Sequence, residues 1–210
     1  LAVLCLDDAN VRALAAGVPR HLVTYGHAED ADVRATDVRQ EGPRTRFTLH
    51  LPDAQPFAVT LNLPGRHNAQ NALAAAAIGW QLGVAPEAIA RALDTFQGIG
   101  RRFNLLGELQ VREGVRVQVV DDYGHHPREL AAVFAAARAG WPQRRLVAAF
   151  QPHRYSRTRD LLDDFAAVLS EVDALLLTEV YPAGEAPIPG ADGRALARAI
   201  TLIESRRPDH

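Results

Sequence analysis

Twice in the second half of the chain a short apolar run stops at a dense polar turn that opens a helix. That repeat narrows the fold to a layered α/β arrangement. Residues 115–120 alternate and then turn fully apolar, which reads as a strand entering a buried sheet. They run into Asp121-Asp122-Tyr123-Gly124-His125-His126-Pro127. Pro127 suits the first position of a helix, and Glu129 adds a carboxylate to its first turn, where the helix dipole favours it. Residues 145–150 form the second run and end in Gln151-Pro152-His153-Arg154-Tyr155-Ser156-Arg157-Thr158-Arg159. Ligands bind at the carboxyl ends of strands in open α/β sheets, so if the two strands are neighbours the two turns face one crevice. Arg154 and Arg157, three apart around a helix start, can point at one anion. The plainer alternative is that Asp121 or Asp122 caps the helix and the histidines are merely solvated.

From residue 115 onward the order reads β, α, β, α, β, α, with helices over 129–139, 160–171 and 192–204 and a strand over 174–178. This predicts a doubly wound unit. The first half differs. Residues 2–6, 9–16 and 21–25 read strand, helix, strand, with Asp7 or Asp8 as the cap and Gly17 as the stop. Three alternating runs follow at 32–39, 45–51 and 57–63, separated by turn residues, and predict a small antiparallel meander. An Ala-rich helix over 72–82 and a second helix over 86–96 lead to Gln97-Gly98-Ile99-Gly100, whose glycines suit a hinge. The expected division is residues 1–98 and 99–210.

Composition excludes several classes. A net charge of −2 supplies no global basic field for nucleic acid. All 23 basic side chains are arginine, so neither a P-loop lysine nor a Schiff-base lysine lies in this chain. The one cysteine, Cys5, sits in an apolar run and reads as a small core residue. There is no zinc-ligand spacing, and no G-x-G-x-x-G opens a helix. No run reads as a secretory leader or is long enough to span a bilayer, so a soluble, cytoplasmic protein is expected. The chain opens in mid-strand without Met and closes just after a helix, which suggests a piece of something longer.

Two further groups carry chemistry. Asn68 and Asn71 share a face near a helix start, where side-chain amides either cap the helix or read a base edge such as adenine. Arg101 and Arg102 follow the glycine pair, where guanidiniums can grip phosphate oxygens.

Four segments, LPGRHNAQNALAA (63–75), GRRF (100–103), DDYGHHP (121–127) and FQPHRYSRT (150–158), resemble the Mur ligases of peptidoglycan synthesis, in the family's order and over essentially the whole chain. Within the family FQPHRYSRT is most similar to the branch that joins L-alanine to UDP-N-acetylmuramate, rather than the branch that recycles murein tripeptide. The resemblance implies the latter part of a P-loop-type central domain with a small antiparallel sheet, followed by a Rossmann-like α/β C-terminal domain. It also implies an ATP-dependent amide-bond ligase working through an acyl phosphate, with the P-loop and the Mg²⁺ ligands in a segment not present here. A non-catalytic nucleotide-binding fragment is the remaining alternative.

By the resemblance, Asn68 and Asn71 contact adenine with His67 beside them, and Arg102 reaches the phosphates. Asp121 or Asp122 holds the ribose or orders the ATP site. Tyr123, His125, Arg154 and Arg157 line the amino-acid and acyl-phosphate pocket. His125 or His126 is the candidate base for the alanine ammonium, because an imidazole titrates near ~6.5; substrate positioning is the alternative role.

Overall fold

Alternation along the first half builds one sheet rather than two. The computed structural model describes residues 1–205. Strands β1 (Ala2–Cys5), β2 (Leu22–Gly26), β3 (Val33–Glu41), β4 (Arg44–His50) and β5 (Phe57–Leu61) pair in sequence order. The first two pairings are parallel and the last two antiparallel. The expected meander is therefore present as β3–β4–β5, but it continues the parallel strands in the same sheet. The join is short, Tyr25 against Val33 and Gly26 against Arg34.

Helices α2 (Arg66–Gln81) and α3 (Pro86–Thr95) cover this sheet. Ala69, Ala72, Leu73, Ala76 and Ala77 of α2 are buried against Val23, Val33, Phe47, Leu49, Val59 and Leu61. Alanines leave α2 thin, so its backbone lies close to the strands. The helix starts at Arg66, six residues before the expected Ala72. Gly65, at φ 98°, turns the chain just ahead of it, and the Asn68 amide donates to the Pro64 carbonyl at 2.7 Å.

At the sheet's other end Asp8 caps α1 (Ala9–Ala15), accepting from the backbone of Asn10 and Val11. Asp7 does a different job. Its carboxylate accepts from the His27 and Ala28 amides and from the Gln70 side chain of α2, at 2.8–3.1 Å. Gly26 makes room for this, since a β-carbon there would lie 2.6 Å from an Asp7 oxygen.

Strands β6 (Asn104–Arg112) and β7 (Val115–Asp121) pair with each other as a two-stranded sheet across Glu113-Gly114, with Gly114 at φ 72°. Every residue of β6 is exposed, including Leu106, Leu109 and Val111. This corrects the expectation that 115–120 enters a buried sheet. The two-residue turn makes local pairing the cheapest partner, and Gln118 and Arg116 spend their side chains on the Gly107 carbonyl and Glu108 of β6.

Packing divides the chain into two compact units, Leu1–Val120 and Asp121–His210, a division further along than the glycines at 98 and 100. In the second unit β8 (Val147–Phe150) and β9 (Ala174–Leu177) pair in parallel. Helices α4 (Pro127–Gly140), α6 (Leu162–Leu169) and α7 (Gly193–Glu204) share a core with Ala148, Phe150, Leu175 and Leu177, while Val147 and Leu176 are exposed. Among the described residues this sheet is two strands covered on one face, where a doubly wound unit of three strands was expected. The helix expected over 160–171 is present as α6, and an unexpected short helix, α5 (Tyr155–Asp160), precedes it, with Leu161 between them out of helical geometry and packed on the core.

Phe165 is fully buried, its ring 5.6 Å from that of Phe150. Phe165→Ala is expected to destabilise this unit by ~3–5 kcal/mol. A shifted denaturant midpoint checks this, and an unshifted one would place the core elsewhere.

Candidate functional site

The turn after β7 is held from below by Glu129. Its Oε2 accepts the backbone N–H groups of His125 and His126 at 2.9 and 3.1 Å, and in return His126 Nδ1 accepts the Arg128 N–H at 3.2 Å. The helix cap is therefore His126 and not Asp121 or Asp122, and one of the two histidines is committed to structure. Asp122 instead accepts the Gly124 N–H at 2.6 Å, closing the turn on itself. Asp121, the last residue of β7, is half-buried. The neighbouring His125 presents Nδ1 to the Tyr123 carbonyl at 2.9 Å. A carbonyl only accepts, so Nδ1 carries the proton and Nε2 keeps a lone pair.

The turn after β8 meets the first through rings. His153 lies 5.6 Å from His125 on one side and 5.3 Å from Tyr181 on the other, and Tyr123 stands edge-on to His125 at 5.2 Å. Backbone bonds from Arg154 to Tyr181 and from Tyr181 to Pro152, both 2.8 Å, zip this turn to the loop after β9. Three consecutive strand-end segments of the unit thus converge on His153. Its Nδ1 is buried without a hydrogen-bond partner. Burial first, then Arg157, His125 and Arg154, push its imidazole below the ordinary value, with Glu185 opposing.

Arg157 donates to the His153 carbonyl at 3.2 Å, and Arg154 sits 3.9 Å from Glu185. Arg154 has φ 75°, a left-handed conformation that turns the chain sharply into α5. Glu185 is anchored by Ser156, whose N–H and hydroxyl both donate to its carboxylate at 2.9 and 2.6 Å. The Ser156 hydroxyl first, then its amide and Arg154, hold the Glu185 carboxyl below its usual range. Ser156, Tyr181 and Glu185 were missed in the sequence. Applying the strand-end rule to the strand before Glu179 would have drawn attention to the last two.

In the first unit His67, Asn68 and Asn71 lie within the first two turns of α2, with Asn71 exposed. One N–H of the Asn68 amide is spent on the Pro64 carbonyl. Arg102, with Asn62, Leu63, Pro64 and Gly98, lines a cavity of about 250 Å³. Next to it Phe103 is buried at φ 47° and Arg101 stands at φ 62°, so two non-glycine residues hold left-handed geometry within three positions. Among the described residues no group of three His, Cys, Asp or Glu side chains is placed to hold a metal ion, and no helix is long and apolar enough to cross a membrane.

Two outcomes follow from this geometry. His126→Ala should lower stability by about 1 kcal/mol through the lost cap, and His126→Asn, a better cap, should restore it in thermal melts. Because His153 refuses its proton when folded, the unfolded chain takes one up first as pH falls below the reference 6.5, and folding weakens in that window. His153→Gln should flatten that part of the stability profile.

Residues 1–79 match the Mur ligase middle domain and residues 101–209 the Mur ligase glutamate ligase domain. A UDP-N-acetylmuramate–L-alanine ligase of Xanthomonas campestris pv. campestris is 74% identical over 200 residues, covering 95% of this chain and 42% of that protein. The chain thus spans less than half the length of the curated relatives it matches. Among solved structures, a UDP-N-acetylmuramate–alanine ligase of Thermotoga maritima matches with a TM-score of 0.73 at 24% identity, over 97% of this chain and 41% of the other. A murein peptide ligase of Psychrobacter arcticus matches with a TM-score of 0.60 at 26% identity, over 94% and 38%.

Proposed function

This chain belongs to the Mur ligase family, and from that membership we propose that it forms the later part of an ATP-dependent ligase joining L-alanine to UDP-N-acetylmuramate in the cytoplasm. The observation that carries the choice of substrate is the 74% identity over 200 residues to ligases of that name. The domain boundary is proposed at residues 98/99, where the glycines adjoin the left-handed Arg101 and Phe103.

ATP supplies the phosphoryl group that activates the muramate carboxylate, and the amine of alanine then displaces phosphate. Such chemistry is mostly in-line positioning and neutralisation of spreading negative charge. Arg102 is proposed to meet the phosphates. Asn68 and Asn71, with His67, offer amide and ring groups to adenine, and Asp121 or Asp122 orders the nucleotide. Arg154 and Arg157 present guanidiniums to the alanine carboxylate and the acyl phosphate, and Tyr123 lines the same pocket. A base must take a proton from the alanine ammonium. His125 suits this better than His126, because its Nε2 lone pair is left over after Nδ1 is spent on Tyr123, whereas His126 uses Nδ1 as a cap. Mg²⁺ is expected with ATP; among the described residues no group of three His, Cys, Asp or Glu side chains is placed to hold it.

The test is phosphate release by the full-length protein with ATP and Mg²⁺, requiring both UDP-N-acetylmuramate and L-alanine. Release with murein tripeptide but not with alanine would move the protein to the recycling branch, and none with either would leave a nucleotide-binding fragment. In the active protein Arg102→Ala should lower kcat by ~10³-fold or more. His125→Ala should collapse the single-turnover rate with alanine binding unchanged; a raised KM alone would make His125 a positioning group.

A further inference from the structure

The cluster around His153 includes a charged group that the ligase reading leaves without a part. Glu185 reaches it from the loop after β9, where Ala183 at φ 50° and Gly184 at φ 86° turn the chain back. Its carboxylate is only partly exposed, at 23%, and is fixed at both oxygens by Ser156. It lies 3.9 Å from Arg154 and within electrostatic reach of His153, as do Arg157 and His125. Arg154 and Arg157 bring two guanidiniums to this side of the cluster, and Glu185 sets one carboxylate against them. A neutral-side-chain amino acid brings one carboxylate for the guanidiniums to meet. An amino acid with an acidic side chain brings two, and the second meets a fixed carboxylate of the same sign.

Resting on the ligase reading above, we propose that Glu185 is a specificity-determining residue that excludes acidic amino acids by charge. Ionised and held by Ser156, it halves the cationic charge that Arg154 and Arg157 would otherwise present. Its charge opposes alanine through one carboxylate only, and an acidic amino acid through two. Selectivity of this kind comes from a repulsive element and not from a tighter fit to the chosen substrate.

The experiment compares kcat/KM for L-alanine and L-aspartate in the full-length enzyme, with ATP and UDP-N-acetylmuramate saturating. Glu185→Gln keeps the size and removes the charge, and should shrink the alanine preference by about tenfold or more through gained use of aspartate, an effect that weakens with added salt. Ser156→Ala removes hydrogen bonds but no charge, and should keep the preference. An unchanged ratio in Glu185→Gln, or an equal loss in both variants, overturns the proposal. Should Glu185→Gln be inactive with every amino acid, Glu185→Asp decides. Alanine ligation with the preference intact supports the charge; inactivity, or turnover without discrimination, overturns it. A wild-type enzyme that does not ligate alanine at all sinks the ligase reading itself, which separates the two failures.

Discussion

Carboxylates clasping backbone amides hold the loops of both units in place. Asp7 takes the amides of His27 and Ala28, Glu129 those of His125 and His126, Asp122 that of Gly124 and Glu185 that of Ser156. Asp173 does the same for Leu146 at the start of β8 while pairing with Arg138 of α4. Loops at strand ends leave N–H groups that neither ladder nor helix satisfies, and an ionised acceptor is the strongest remedy available. The architecture therefore spends its acids on scaffolding. Some of its arginines join them, as Arg138 does with Asp173 and Arg116 with Glu108.

Some parts of the molecule could be read from residue order and others could not. Strand and helix positions in the first half followed from period-two alternation and from the Ala-rich run, because each element has one wet and one buried face. The start of α2 escaped, since Gly65 and the Asn68–Pro64 bond extend the helix through residues whose side chains look like loop. The second unit was harder. A fully apolar ending on 115–120 says that a strand prefers cover, but it does not say which strand it joins, and the Glu113-Gly114 turn decided for β6. The break at Leu161 is a packing event with no breaker residue to announce it.

The site was legible as a list of residue types and illegible as a set of tasks. Five polar side chains crowded into 121–126 marked the place, yet only geometry separates His126, which caps a helix, from His125, which keeps a nitrogen lone pair. Tautomers follow from the neighbour each nitrogen faces, and for His125 that neighbour is a backbone carbonyl only two residues away. Glu185 was less visible still, because it stands 29 residues from the serine that holds it, in a loop that reads as ordinary turn material.

The contact between Gly26 and Asp7 carries a consequence for how such a sequence can change over generations. An added methyl at position 26 would collide with a carboxylate that is itself committed to two loop amides and to Gln70. Neither position is free to drift alone. A larger residue at 26 requires the Asp7 carboxylate to shift or shorten, and either change loosens the tether from the end of β1 to α2. The two positions act as one: the room left at 26 sets how far the carboxylate at 7 can reach.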